Sequence, residues 1–184
     1  EKRGHTVIPF SMMHPQNFLT EGVIKAGDTV ADLGCGASGH FVFPAARMVG
    51  DDGRVFAVDI LPSVLQSIES RGKIEGANNV VRLWADIERP GATKIPGGAD
   101  MALLANTLFQ TKDPAAAIRT AAEVLKPGGR LLIGEWKSTG ASFGPSAMMR
   151  VDSGKVRQWA KDAGFIFDHE FEAGPYHYGM VFKK

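Results

Sequence analysis

The chain has 184 residues, 44% of them hydrophobic and 22% charged, enough for one domain with a full apolar core. Its 21 Lys and Arg against 20 Asp and Glu leave a net charge of +1, without the basic stripe typical of proteins that grip many phosphates. A single cysteine, Cys35, excludes an internal disulfide framework and a Cys-rich metal site, and no apolar run approaches the ~18 residues that span a bilayer.

In chain order, the opening Glu1-Lys2-Arg3-Gly4-His5 has no secretory h-region, so a reducing, cytoplasmic setting is expected. From Thr29 onward, short apolar runs alternate with helix-period segments, the pattern of a parallel sheet covered on both faces. Thr29–Leu33 is the first run, and glycines then lead into a helix expected to begin near Gly39. Val55–Asp59 is the second, followed by Leu61, Val64, Leu65 and Ile68 at helical spacing with Pro62 in the first turn. Val80–Ala85 and Ala99–Ala105 are the third and fourth. Asp113 before Pro114 reads as an N-cap for a helix burying Ala117, Ile118, Ala121, Ala122 and Leu125. Lys126-Pro127-Gly128-Gly129 is expected to end that helix and turn the chain into the fifth run, Arg130–Glu135.

The tail has a different rhythm. Asp152 or Ser153 caps a helix with Val156, Trp159, Ala160 and Ala163 inward, and Gly164 ends it. Phe165, Phe167, His169 and Phe171 then alternate with Ile166, Asp168 and Glu170, and Gly174-Pro175 turns the chain into Tyr176–Phe182. Two strands joined by so short a turn pair antiparallel. The expected fold is α/β: a doubly wound, mostly parallel, seven-stranded sheet closed by an antiparallel C-terminal hairpin, in a single domain over residues 1–184.

The most informative stretch is Val30-Ala31-Asp32-Leu33-Gly34-Cys35-Gly36-Ala37-Ser38-Gly39-His40. Gly34, Gly36 and Gly39 spell a dinucleotide fingerprint, and Asp59 lies 20 residues beyond Gly39, so this spacing alone suits a nicotinamide enzyme equally well. Asp32 separates the readings. A carboxylate two residues before the first glycine repels a pyrophosphate but suits the ammonium group of S-adenosylmethionine, which carries no phosphate.

Asp32-Leu33-Gly34-Cys35-Gly36 resembles the first motif of class I S-adenosylmethionine-dependent methyltransferases, a Rossmann-like family. Asp59 matches the acidic residue that holds the ribose hydroxyls in that family. Asp86, with Ile87 beside it, matches the position that reads the adenine amino group. Leu125 to Leu131 matches the turn before the fifth strand. One departure is Ser38 where many members carry a third glycine, which arrives here at Gly39. The resemblance implies a cofactor site of Asp32, Gly34, Cys35, Gly36, Gly39, Asp59, Ile60, Asp86, Ile87 and Asn106, with S-adenosylhomocysteine as product. Read without it, Asp59 and Asp86 also suit strand-end caps, and Asn106 suits either a positioning role or a cap.

By the same likeness, residues 1–25, including His5, Pro9, Phe10, Met12, Met13 and His14, form a cover over the cofactor or a core-packing arm. Residues 137–151 form a loop that shapes the acceptor pocket. His14, His40 and Glu135 are candidates for a general base, and none is singled out. Trp84, Trp136 and Trp159 read as core or groove wall, and Cys35 as a loop filler. Closest in layout are quinone and other small-molecule methyltransferases, so a small acceptor is expected. An RNA or protein methyltransferase, a non-catalytic cofactor-binding protein and a nicotinamide dehydrogenase are the alternatives.

Overall fold

A computed structural model describes residues 13–140 and 142–184. The expected cover residues His5, Pro9, Phe10 and Met12 lie outside that range. Seven strands form one sheet: β1 (Thr29–Leu33), β2 (Arg54–Asp59), β3 (Val80–Trp84), β4 (Ala99–Ala105), β5 (Leu125–Trp136), β6 (Ile166–Gly174) and β7 (His177–Lys183). Their order is β3-β2-β1-β4-β5-β7-β6. The first five run parallel, and β7 lies antiparallel between β5 and β6.

Both faces of the central strands are buried, which is why their sequences read as unbroken apolar runs. On one face, Leu104, Leu131, Ile133 and Tyr178 pack with α4 (Pro114–Val124) and α5 (Ser153–Asp162) through Ile118 and Val156. On the other, Val30, Leu103, Leu132 and Val181 pack with α1 (Pro15–Glu21), α2 (Val42–Val49) and α3 (Pro62–Glu75) through Phe18, Phe43 and Ile68. Asp113 caps α4 by accepting from the Ala116 amide, and Asp152 caps α5 by accepting from Gly154 and Lys155.

Four local expectations are corrected. The helix after the glycines starts at Val42 rather than near Gly39, because the chain first completes a turn through Gly39, at φ +55°. Lys126-Pro127-Gly128-Gly129 lies within β5 as an irregularity opposite Ala99 and Met101. The Lys126–Asp100 ion pair at 2.9 Å and the backbone bonds of Gly128 and Gly129 to Lys184 hold it there. Trp84 is 66% exposed on edge strand β3, where its indole N–H donates to the Ile60 carbonyl. In β6 a bulge between Phe167 and His169 interrupts the alternation. A one-residue shift moves side chains to the opposite face, so Phe165 and Phe171 join different cores.

Candidate functional site

After β1 the chain crosses to the face of α2, and after β4 it leaves toward α4 on the other face. The loops at the carboxyl ends of these neighbouring strands therefore diverge and open a crevice. A cavity of about 670 Å³ lies there, and Gly34, Gly36, Asp59, Ile60, Asp86 and Ile87 line it. So do Thr107 and Gln110, from the segment after β4. The sequence reading missed Leu61, Val64, Glu88, Arg89, Thr111 and Lys112 in the lining. The signal for Glu88 was its place directly after Asp86 and Ile87; its carboxylate accepts from the amides of Lys112 and Asp113, tying two rims of the cavity together.

The glycines of the turn do different work. At Gly34, with φ +79°, an added Cβ would lie 2.6 Å from Thr107 Cγ2, so the position has room only for a hydrogen. At Gly36, on the cavity, an added Cβ would meet nothing within 4 Å, and the amide donates to Asp59 Oδ2 at 3.3 Å. Gly39 packs against Phe43 and Ile68, away from the cavity lining. Cys35 is buried, donates its amide to the Val58 carbonyl, and burial raises its thiol far above the ordinary range. It is a loop filler by geometry, with no thiolate near neutral pH.

Asp59 ends β2 with its other oxygen accepting from the Leu61 amide at 3.0 Å, and Asp86 Oδ1 accepts from the Glu88 amide at 2.9 Å. Asp32 is more unusual. It is 2% exposed, and among the described residues its Oδ2 has no hydrogen-bond partner. Burial pushes its carboxyl up to about 7, and the nearby Asp59 charge adds to that rise. Asp32 is not itself part of the cavity lining, which begins two residues later at Gly34; a buried carboxyl with one oxygen unfilled is a group that a cation would satisfy.

A family model described as a methyltransferase domain matches residues 24–172, which span this entire arrangement. The chain belongs to the class I S-adenosylmethionine-dependent methyltransferases. A methyltransferase of that cofactor class from Aquifex aeolicus has the same fold, with a TM-score of 0.84, 26% identity, and coverage of 94% of this chain and 90% of that one. Aklanonic acid methyltransferase DauC of Streptomyces sp. (strain C5) is 31% identical over 106 residues, 57% of this chain and 46% of that protein. The ubiquinone/menaquinone biosynthesis C-methyltransferase UbiE of Enterobacter sp. (strain 638) is 36% identical over 115 residues, 61% and 44% respectively. The chain thus matches less than half the length of these curated relatives.

The remaining candidates in this methyltransferase domain are not gathered at the cavity. His14 is exposed at the start of α1 and lines a separate hollow of about 190 Å³ with Glu21 and Phe171. His40 is half-buried, with Nε2 3.0 Å from the Met13 carbonyl oxygen. Glu135 is fully buried and engages backbone amides rather than the cavity. Asn106 sits beside the cavity in the left-handed region at φ +54°, its Oδ1 buried and without a partner among the described residues. The loop after β5 lines two further hollows, of about 540 and 460 Å³, and folds over Trp136 through Phe143, Gly144 and Arg150. Among the described residues no helix is long and apolar enough to cross a membrane.

Proposed function

We propose that this chain transfers a methyl group from S-adenosylmethionine to a small-molecule acceptor, binding the cofactor in the cavity between the glycine turn, Asp59 and Asp86. The observation that carries the reading is Asp32, a buried carboxyl with an unfilled oxygen two residues before the turn. The residues present fit the cofactor. Asp32, buried two residues before the lining residue Gly34, would take its ammonium group; from the lining, Asp59 would take its ribose hydroxyls and Asp86 its adenine amine, with Ile60 and Ile87 as apolar walls. Gly36, open toward the cavity, lets the main chain come close to it.

S-adenosylmethionine, when bound, supplies an electrophilic methyl on a sulfonium leaving group. The protein's share is to align the two partners and to exclude water from the line of transfer. The turn after β4 carries Thr107, which lines the cavity and bonds to the Leu33 carbonyl at the end of β1, so it is suited to this alignment. Support for a small acceptor comes from the likeness to the aklanonic acid and ubiquinone/menaquinone methyltransferases.

Calorimetric titration with S-adenosylhomocysteine tests the reading. Loss of a hydrogen bond to a charged group costs about 1.5–3 kcal/mol, so Asp32→Ala and Asp59→Ala should each weaken affinity by about tenfold or more. If both variants bind as tightly as the parent, the assignment is wrong.

A further inference from the structure

We propose that Glu135 is a positioning residue for the cofactor site: from the end of β5 its carboxyl group holds the turn after β4, so that Thr107 closes on the glycine turn and both Thr107 and Gln110 face the cavity. The inference rests on reading that cavity as the S-adenosylmethionine site.

Glu135 is 0% exposed, and its Oε1 accepts from the Thr107 amide at 2.8 Å and the Leu108 amide at 2.6 Å. These amides open the 3-10 turn Leu108–Gln110, whose first N–H groups have no partner within the turn. Thr107 does not cap the turn with its own side chain. Its hydroxyl instead lies 3.3 Å from the Leu33 carbonyl and 3.1 Å from that of Ala105, and its methyl fills the space over Gly34. The residue just before is also tied to β5: the Asn106 amide donates to the Gly134 carbonyl at 2.8 Å while Asn106 holds a left-handed backbone. Gln110 Nε2 then donates to the Asn106 carbonyl at 2.7 Å. Two adjacent residues of β5 thus fix a non-glycine left-handed turn, a conformation that persists only where its surroundings over-determine it.

The acceptor oxygen, rather than the charge, is what the turn requires. Burial raises Glu135 to about 7, while the amides of Leu108, Thr107, Phe109 and Trp136 pull it down. Both forms are therefore present near neutral pH, and Oε1 can accept in either. Gln at this position keeps such an oxygen, whereas Leu leaves two buried N–H groups without a partner.

The test compares the parent, Glu135→Gln and Glu135→Leu by S-adenosylhomocysteine titration, near-UV circular dichroism and residue-resolved amide exchange. In the free parent and the Gln variant, the Thr107 and Leu108 amides should exchange slowly; in the Leu variant they should exchange fast. Affinity should stay within about threefold of the parent for Gln and fall by about tenfold or more for Leu. A folded Leu variant with parental affinity overturns the inference. Should the Leu variant not fold, the other two proteins decide: fast exchange at Thr107 and Leu108 in the parent, or a tenfold loss in a folded Gln variant, overturns it. A parent that does not bind S-adenosylhomocysteine removes the site itself and so overturns the functional reading as well; parental binding with an unchanged Leu variant rejects only the role of Glu135.

Discussion

Asp32 and Glu135 are both buried, and each is raised to about 7, from 3.8 and 4.5 respectively, by loss of water. Between those limits the folded chain holds protons that the unfolded chain has released, so their contribution to stability is full below about pH 4 and is lost as pH rises through 7. In denaturant unfolding, these two groups should therefore make the free parent lose stability between about pH 4 and pH 7, and Asp32→Asn should lose less of it. Equal slopes for the two proteins would contradict this account. The same titration links to the ligand. An ammonium group seated on Asp32 favours the ionised carboxyl, so binding near pH 6.5 should release protons. Titration in buffers of different ionisation enthalpy reads that release directly, and Asp32→Asn should reduce it.

Elements whose signals are local were legible in the sequence. Asp113 and Asp152 announce α4 and α5 because an N-cap needs only its own next turn, and Asp113→Ala should cost about 1 kcal/mol in unfolding free energy. The features set by distant partners were not legible. The early start of β5 depends on Asp100 and Lys184, and the bulges of β6 depend on its pairing with β7. Trp84 read as core or groove wall because its side chain is large and apolar, but its place on an edge strand leaves it exposed. The glycine turn combines both cases. Its glycines were visible, whereas the contact of Gly34 with Thr107 was not. A Gly34→Ala exchange must strain a φ of +79° and push a methyl against Thr107 Cγ2, for a cost of about 1–3 kcal/mol by thermal or denaturant unfolding. A fully stable Ala variant would show that the turn and the segment after β4 are not in firm contact.

Across the whole molecule, the alternation of apolar runs and helical segments announced a mostly parallel sheet, while its order, with β1 beside β4 and the crevice at their carboxyl ends, is a finding of the structure. Asp59, Asp86, Gly34 and Gly36 were legible because they sit at or just after the ends of strands that the pattern locates, whereas Gly39 packs away from the cavity. The rest of the rim was not. Arg89, Thr111 and Lys112 meet at the cavity where Glu88 ties the loop after β3 to the start of α4, by contacts between residues 24 and 25 positions apart. Glu135 was visible as a candidate base, but its bonds to the Thr107 and Leu108 amides, which carry the positioning role proposed above, were not. The central claim, that the glycine turn over Asp32 receives an amino-acid tail, is tested most directly by a crystal structure grown with S-adenosylhomocysteine. The ligand should lie in the cavity with its ammonium group on the Asp32 carboxyl and its ribose on Asp59. Density for the ligand elsewhere on the chain, or a dinucleotide whose diphosphate occupies the turn in competing soaks, would contradict it.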